Sequence, residues 1–266
     1  MDDFNDIFIK IADELSKKRE QHKEKVFDSQ QFQQELKHLS AYTFDFVQCI
    51  RSIAFYSTRA KDIYDNFLTI RASDDYLQLA IGVRSLVVNG IQNMAKRELR
   101  YMIEMTVKYL IVDQELMGKE LPQKTEYLKT NIPNSSIDVI ERMNTPFNET
   151  LDLEFKSEIK DFFYKSCAYV HPSKKQIEEQ LNNYKKGYTI GFESASMLCD
   201  ISKLIFRAYD MILVMLFHGF GESMSGDLFI QNFDEDDKWK FHKGKYVKQY
   251  SKLFDYKLER KSRKNR

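Results

Sequence analysis

The sequence predicts an all-α protein: an antiparallel multi-helix bundle with an irregular insertion and a basic C-terminal tail. Apolar residues recur three or four positions apart along most of the 266 residues, which is the period of an amphipathic helix. Only 9 glycines and 4 prolines are present, too few for a β-sandwich or barrel with its frequent turns. The 20 phenylalanines and 15 tyrosines can fill a sizeable helical core.

The first half of the chain divides into three helical stretches. Residues 4–25 fit one amphipathic helix, and residues 30–70, which lack glycine and proline, fit one bent helix or two with a short break. Ser73 precedes two aspartates and is therefore a candidate N-cap. The helix that it opens runs to about residue 116, and Gly118 is a natural C-cap.

The second half begins with an irregular insertion at residues 119–150, where three of the four prolines fall and one or two short helices are expected. Glycines 219, 221 and 226 predict a loop that closes the helical body. We therefore expect one helical domain, residues 1–236, followed by a C-terminal helix and basic tail, residues 237–266. The further predicted helices are about 151–170, ending at His171-Pro172; 173–184, which is polar; 190–217, the most apolar; and 239–256.

Charge is distributed unevenly along the chain. The net charge is +1, but Lys243–Arg266 carry ten Lys/Arg against two acids, hence 10 − 2 = +8, and the remaining residues carry 1 − 8 = −7. Residues 257–266, with tyrosines 246, 250 and 256 nearby, could bind RNA or DNA phosphates and stack on bases. The alternative is a solubilising, disordered end.

Several classes of protein are not supported. The three cysteines form no CxxC pair and the five histidines have no metal-ligand spacing, so we expect no disulfide framework, metal or cofactor. The N-terminus is acidic where a signal peptide would be basic. The most apolar run, Met211–Phe217, has seven residues, whereas a membrane span needs about 20. We therefore expect a cytoplasmic protein without a membrane partner.

Four charged residues form one helical stripe: Lys96, Arg100, Glu104 and Lys108 are each four positions apart. This spacing lets Glu104 pair with both neighbouring cations. One interpretation is a solvated face. In the other, Arg100 and Glu104 point into a polar cleft between helices, where Arg100 would hold a phosphate and Glu104 would orient it.

A second candidate lies at the end of the predicted helix 151–170. His171 precedes Pro172, and the helix dipole would favour its protonated form, which suits a general acid or a phosphate contact. The alternative is a histidine that caps the last carbonyls or packs against Tyr169. Ser166 lies nearby, but without a GxSxG elbow it does not indicate a nucleophile.

Two segments together resemble a known family: Val88–Glu104, where Gly90 is followed by Arg100 and Glu104, and Phe163–Ser173, with its Tyr-Val-His-Pro sequence. They resemble uncharacterised bacterial helical proteins related to abortive infection and, more remotely, the HEPN superfamily, over roughly residues 75–215. The resemblance implies a helical bundle, often dimeric, with catalytic residues at the dimer cleft. It also implies metal-independent RNA cleavage, in which a histidine handles the 2′-hydroxyl proton and an arginine stabilises the phosphate.

The sequence departs from the family pattern, in which an arginine precedes the histidine by four to six intervening residues. Here Lys165 occupies that place before His171, and lysine lacks the bidentate fork of arginine. Arg100 from the neighbouring helix would then supply the guanidinium. The resemblance therefore implies a site of His171, Arg100, Glu104, Lys165 and Tyr169. It predicts an effector or accessory protein of defence or toxin–antitoxin type that acts on RNA, or pairs with an antitoxin or other protein. The alternative function is a non-catalytic helical module that binds a protein partner or nucleic acid.

Overall fold

The computed structural model describes residues 2–134, 136–185 and 194–257, with side chains described from residue 6 onward. All regular secondary structure in these residues is helical, which confirms the predicted all-α bundle. Short 3₁₀ turns cover Asp138–Arg142 and Lys240–Lys243, and a π-helical turn covers Phe229–Phe233. The α-helices are α1 (Asp2–Phe27), α2 (Gln30–Ser57), α3 (Lys61–Asn66), α4 (Leu68–Arg71), α5 (Ser73–Val88), α6 (Gln92–Glu115), α7 (Leu121–Asn131), α8 (Glu149–Cys167), α9 (Lys174–Lys185), α10 (Ala195–Phe220), α11 (Glu222–Leu228) and α12 (Lys245–Tyr250).

Helix α10 lies at the centre of the core and packs against α2, α6 and α12. Most of its side chains are buried, as expected for the most apolar segment of the sequence. Phe46 on α2 stacks on Tyr209 of α10 with ring centroids 4.0 Å apart. Helices α5 and α6 pack against each other as a hairpin beside this centre. Phenylalanine and tyrosine side chains therefore fill the helical core, as their abundance in the sequence predicts.

Helix starts follow from short polar side chains. Ser29 accepts a hydrogen bond from the Phe32 amide at 3.3 Å and caps α2. Asn148 accepts from the Leu151 amide at 3.0 Å and caps α8. Ser194 caps α10 in the same way, through the Met197 amide at 3.2 Å. Ser73 is not a cap: its hydroxyl donates to the Ile70 carbonyl, and Ala72 is the N-cap residue of α5, so that prediction was wrong.

The single helix predicted from Ser73 to about residue 116 is two helices. Gly90 has φ 77°, a left-handed conformation that glycine adopts without steric cost. The Gly90 amide donates to the Val87 carbonyl at 2.9 Å, and the Ile91 amide donates to the Leu86 carbonyl at 2.7 Å. These are the two hydrogen bonds of a Schellman C-cap. The chain therefore reverses here, and the apolar spacing that continues through Ile91 concealed the break.

The predictions near the C-terminus need two corrections. The predicted glycine loop contains α11 and the π-helical turn, and the predicted helix 239–256 is a 3₁₀ turn followed by α12, separated at Gly244. Trp239, Phe241 and Tyr250 belong to the same buried core as α2 and α10. The insertion at 119–150 is confirmed as one short helix and one 3₁₀ turn among the described residues. The division at residue 236 stays a prediction. The basic tail also stays a prediction, because residues 258–266 lie outside the described residues. Residues 190–193, the start of the predicted apolar helix, lie outside them as well.

No single helix in the described ranges is both long and apolar enough to cross a membrane. Helix α10 and the following Glu222–Phe233 meet the requirements of length and composition only as a pair, bent by 118° at their junction.

Glu158 joins α8 to the core helices. Its side chain, 13% exposed, accepts hydrogen bonds at 2.7 Å from each of Arg207 on α10, Lys245 on α12 and the Tyr246 hydroxyl. Burial opposes the ionisation of Glu158, but these donors outweigh it and lower its pKa to about 2. This hub fixes the orientation of α8, whose C-terminal end carries several candidate site residues.

Asp210 on α10 caps α12 from inside the core. Its carboxylate accepts from the backbone amides of Tyr246 at 2.8 Å and Val247 at 3.0 Å. Burial raises the pKa of Asp210 to about 6, and the charge of Glu158 adds to the increase. The folded protein therefore binds a proton at Asp210 in a pH range where the unfolded chain has lost it.

Because the folded protein holds this proton more tightly than the unfolded chain, we expect the contribution of Asp210 to the free energy of unfolding to decrease as pH rises. The folded-state pKa is about 6 and the ordinary value is 3.8, so the favourable contribution is complete below pH 3.8 and is lost as pH rises through 6. Urea unfolding of the wild type and Asp210→Asn between pH 4.5 and 7.5 should show their stability difference shifting by about 2 kcal/mol against the wild type. A difference that does not change with pH would contradict the expectation.

Candidate functional site

Arg100 and Glu104 lie together in a crevice between α6 and the C-terminal end of α8. The Arg100 Nη2 and Glu104 Oε2 atoms are 3.4 Å apart, and the guanidinium lies 4.2 Å from the centroid of the Phe163 ring. Arg100 Nε also donates to Cys167 Sγ at 3.3 Å. The Arg100 side chain is only 15% exposed. Much of its hydrogen-bonding surface is therefore occupied by the protein itself.

The far end of the charged stripe is not a solvated face. Lys108 Nζ donates to Glu104 Oε1 at 2.5 Å and to the Asn134 carbonyl at 2.9 Å. Glu104 and Lys108 are each 8% exposed. Because a buried charge needs a partner, this chain of pairs stabilises the crevice rather than presenting charge to solvent. The interpretation of a solvated face is wrong for these two residues.

Tyr169 links the end of α8 to both α6 and α9. Its hydroxyl donates to Glu179 Oε1 at 3.0 Å, and burial together with this carboxylate raises the pKa of Tyr169 above its ordinary value. Lys96 Nζ lies 4.0 Å and Lys175 Nζ 5.7 Å from the ring centroid. Arg97 Nε donates to the Tyr169 carbonyl. Three segments of the chain, α6, α9 and the turn after α8, therefore meet at one tyrosine.

Lys165 and His171 lie on the solvent side of this region. Lys165 Nζ pairs with Asp161 at 2.8 Å on a face where the lysine side chain is 71% exposed. Helix α8 ends at Cys167, earlier than predicted, and His171 follows the intervening turn. The His171 amide donates to the Cys167 carbonyl at 3.4 Å, while its exposed ring has no hydrogen-bond partner among the described residues. His171 is two residues from Tyr169, at the rim of the same region.

We define the Tyr169 cluster as Tyr169, the three cations that contact it, and Arg100, which lies about one helical turn from Arg97 and contacts Cys167: Lys96, Arg97, Arg100, Tyr169 and Lys175. The terminal nitrogens of Arg97 have no hydrogen-bond partner in the described part of the chain, and Lys175 is exposed. Guanidinium and ammonium groups around an aromatic ring suit a phosphate group. The structure thus pairs Arg100 with Glu104 and places Arg100 against Cys167, two residues before Tyr169, while Lys165 and His171 are exposed.

Arg97 and Lys175 were not among the site residues predicted from the sequence. Their signal was present as two basic pairs, Lys96-Arg97 and Lys174-Lys175, but these pairs lie almost 80 positions apart. Spacing along one helix finds neighbours three or four positions away and cannot find such a pair. Cys167, the contact of Arg100, was missed for the same reason.

Metal ligands do not converge within the described ranges, where no group of three or more His, Cys, Asp or Glu side chains could hold an ion. A groove of about 480 Å³ lies between α5 and α6. None of the five predicted site residues lines it. Its lining residues are Asp75, Gln78, Leu79, Gly82, Ser85, Leu86, Glu98 and Tyr101.

Comparison of the chain with protein-family models, with curated proteins and with solved structures finds no match. The functional proposal therefore rests on the geometry of the Tyr169 cluster.

Proposed function

We propose that the protein is a cytoplasmic helical effector or accessory protein of defence or toxin–antitoxin type that binds RNA through the Tyr169 cluster. The observation that carries the proposal is the meeting of cations from α6 and α9 at Tyr169. A phosphodiester backbone is a row of anions, and its affinity for a protein depends on how many of them Lys and Arg neutralise. The family resemblance favours RNA over other polyanions.

Within this cluster Arg97 is the better placed of the two arginines for a phosphate. Arg100 is held by Glu104, Phe163 and Cys167, and its charge is already compensated. Arg97 uses Nε on a backbone carbonyl, which fixes the plane of its guanidinium and leaves its terminal nitrogens for two phosphate oxygens. Lys175 adds a second, exposed charge.

A catalytic form of the proposal assigns cleavage to His171. As a general base its ring would take the proton of the 2′-hydroxyl, and the 2′-oxygen would attack phosphorus. The bond from phosphorus to the 5′-oxygen would break, and that oxygen would take a proton from water, so that a 2′,3′-cyclic phosphate and a 5′-hydroxyl form. Arg97 would stabilise the charge that develops on the phosphate. The observation that favours this form is an exposed imidazole without a partner among the described residues, two positions from Tyr169.

Binding of labelled single-stranded RNA in EDTA tests the proposal. We expect Arg97→Glu/Lys175→Glu to weaken binding by about tenfold or more at low salt and to reduce the slope of log affinity against log salt by about 1.4, because two phosphate contacts to a single strand are lost. The matched control is Lys119→Glu/Lys129→Glu, two exposed lysines at the opposite end of α6 and on α7. An equal loss in both double variants would refute a site at the cluster and indicate non-specific attraction.

The same samples report cleavage. If the catalytic form is correct, cleavage survives EDTA, disappears in His171→Ala, and persists in His38→Ala, a matched exposed histidine on α2. Cleavage that persists in His171→Ala would refute the role of His171. RNA binding without cleavage would favour the alternative, a non-catalytic module, which Lys165 in the place of the family's arginine supports.

A further inference from the structure

The groove between α5 and α6 is an open hollow of a size that suits a small molecule. Its volume of about 480 Å³ falls within the range of ligand sites in proteins, roughly 300–1,000 Å³. Leu79 and Leu86 of α5 supply apolar lining, and Gly82 lies between them on the same helix. A Cβ atom at Gly82 would meet nothing within 4 Å, so the space in front of this glycine is open.

Two carboxylates border the groove without a cation. Asp75 lies in the first turn of α5, and Glu98 lies on α6. Neither carboxylate has an ion pair or a side-chain hydrogen bond within the described ranges, and the lining contains no lysine, arginine or histidine. The groove therefore carries two formal negative charges beside an apolar surface, which is complementary to an organic cation.

The two carboxylates lie at different levels along the groove. Because α5 and α6 pack as an antiparallel hairpin, Glu98 lies near the level of Gly82. Asp75 precedes Gly82 by seven residues, which corresponds to roughly 10 Å along the helix axis. A single metal ion needs oxygen ligands within about 2–3 Å, so carboxylates this far apart do not share one. They can instead bind two cationic groups of one elongated molecule.

An aromatic ring lies between these two levels. Tyr101 follows Glu98 by one helical turn, lines the groove and is 50% exposed. Burial raises the pKa of Tyr109, and Tyr101 and Asp75 add to the increase, so these two side chains are near the same tyrosine. A tyrosine face attracts an ammonium group and also packs against methylene groups.

We infer that the groove between α5 and α6 is a binding site for an aliphatic polyamine. One ammonium group pairs with Asp75 and another with Glu98, through charge-assisted hydrogen bonds. The methylene chain between them lies against Leu79 and Tyr101. A protein helix, about 10 Å wide, would fill the same volume with only about one turn, so the size of the groove favours the small molecule.

This site is separate from the Tyr169 cluster, none of whose residues lines the groove. Its negative lining repels phosphate, so RNA and the polyamine are ligands of different surfaces. The inference goes beyond the proposed function and does not depend on it. Because polyamines also bind RNA through its phosphates, the test uses protein without RNA.

The experiment is isothermal titration calorimetry of the full chain with spermidine. We expect submillimolar binding by the wild type, and about tenfold weaker binding for Asp75→Asn and for Glu98→Gln, because each loses one charge-assisted hydrogen bond. Asp74→Asn is the matched control, since Asp74 is exposed in the same turn of α5 but does not line the groove. No binding at millimolar spermidine, or an equal loss in Asp74→Asn, would overturn the inference.

Filling the groove tests its shape apart from its charge. Gly82→Leu keeps both carboxylates and places a side chain in open space on a helix, so it should fold, as circular dichroism would check. We expect it to bind spermidine at least about tenfold more weakly than the wild type does, because the leucine occupies the place of the methylene chain. Unchanged affinity in Gly82→Leu would refute a site in the groove.

The ligand class is tested with two further probes on the wild type. Butylamine has one ammonium group and should bind at least about tenfold more weakly than spermidine, because it engages one carboxylate. Equal affinity for the two amines would contradict a site that uses both Asp75 and Glu98. Binding of a lysine-rich helical peptide, but not of spermidine, would assign the groove to a protein partner and overturn the inference.

Discussion

Replacing Gly244 by alanine is expected to destabilise the fold by about 3 kcal/mol or more, through overpacking and loss of a helix cap. A Cβ atom at Gly244 would collide with Asp210 Oδ1 and would lie 2.9 Å from its Cγ and 3.1 Å from the Phe241 carbonyl oxygen. Asp210 cannot withdraw without releasing the Tyr246 and Val247 amides that begin α12. The backbone of Gly244, at φ −62° and ψ 139°, is allowed for alanine, so the cost is steric.

The measurement is urea unfolding of Gly244→Ala beside Gly82→Ala. A Cβ at Gly82 meets nothing within 4 Å, and alanine favours a helix over glycine, so this control should be neutral or more stable by up to about 1 kcal/mol. Equal stability of the Gly244 variant and the wild type would contradict the close approach of Asp210.

Asp113→Ala is expected to cost about 3–5 kcal/mol, the range for breaking a buried ion pair. The side chains of Asp113 and Lys124 are 1% and 0% exposed, with 3.0 Å between Oδ1 and Nζ. Asp113 also accepts hydrogen bonds from the amides of Leu68 and Thr69, each at 2.9 Å, and so holds the start of α4. Alanine would leave a buried ammonium and two amides without their acceptor.

The control for Asp113→Ala is Glu178→Ala, which removes an exposed pair. Lys174 and Glu178 are 89% and 57% exposed, and exposed pairs contribute about 0–1 kcal/mol. Chemical unfolding should therefore separate the two variants clearly. Similar midpoints for both would mean that the buried pair does not stabilise the junction of α4, α6 and α7.

The charged stripe and the histidine segment show how far a candidate site can be predicted from sequence. Helical spacing correctly paired Glu104 with Arg100 and Lys108, because residues four apart on a helix are neighbours. It could not tell a solvated face from a crevice, since burial depends on which helix packs against that face. Lys175 comes to Tyr169 only because α9 lies against the turn that follows α8.

The sequence by itself determined the helical class of this protein, because apolar period, scarce glycine and proline, and capping residues are local properties. It also indicated α10 as the central helix, because its run Met211–Phe217 is apolar on all sides and must be buried. Only the tertiary structure decided where one helix ends and the next begins, and which charged side chains form pairs. Packing between segments determines three features: the Schellman turn at Gly90, the ion pair of Asp113 with Lys124, and the Tyr169 cluster. The spacing of apolar residues within one helix carries no information about the free energy of contacts between distant segments.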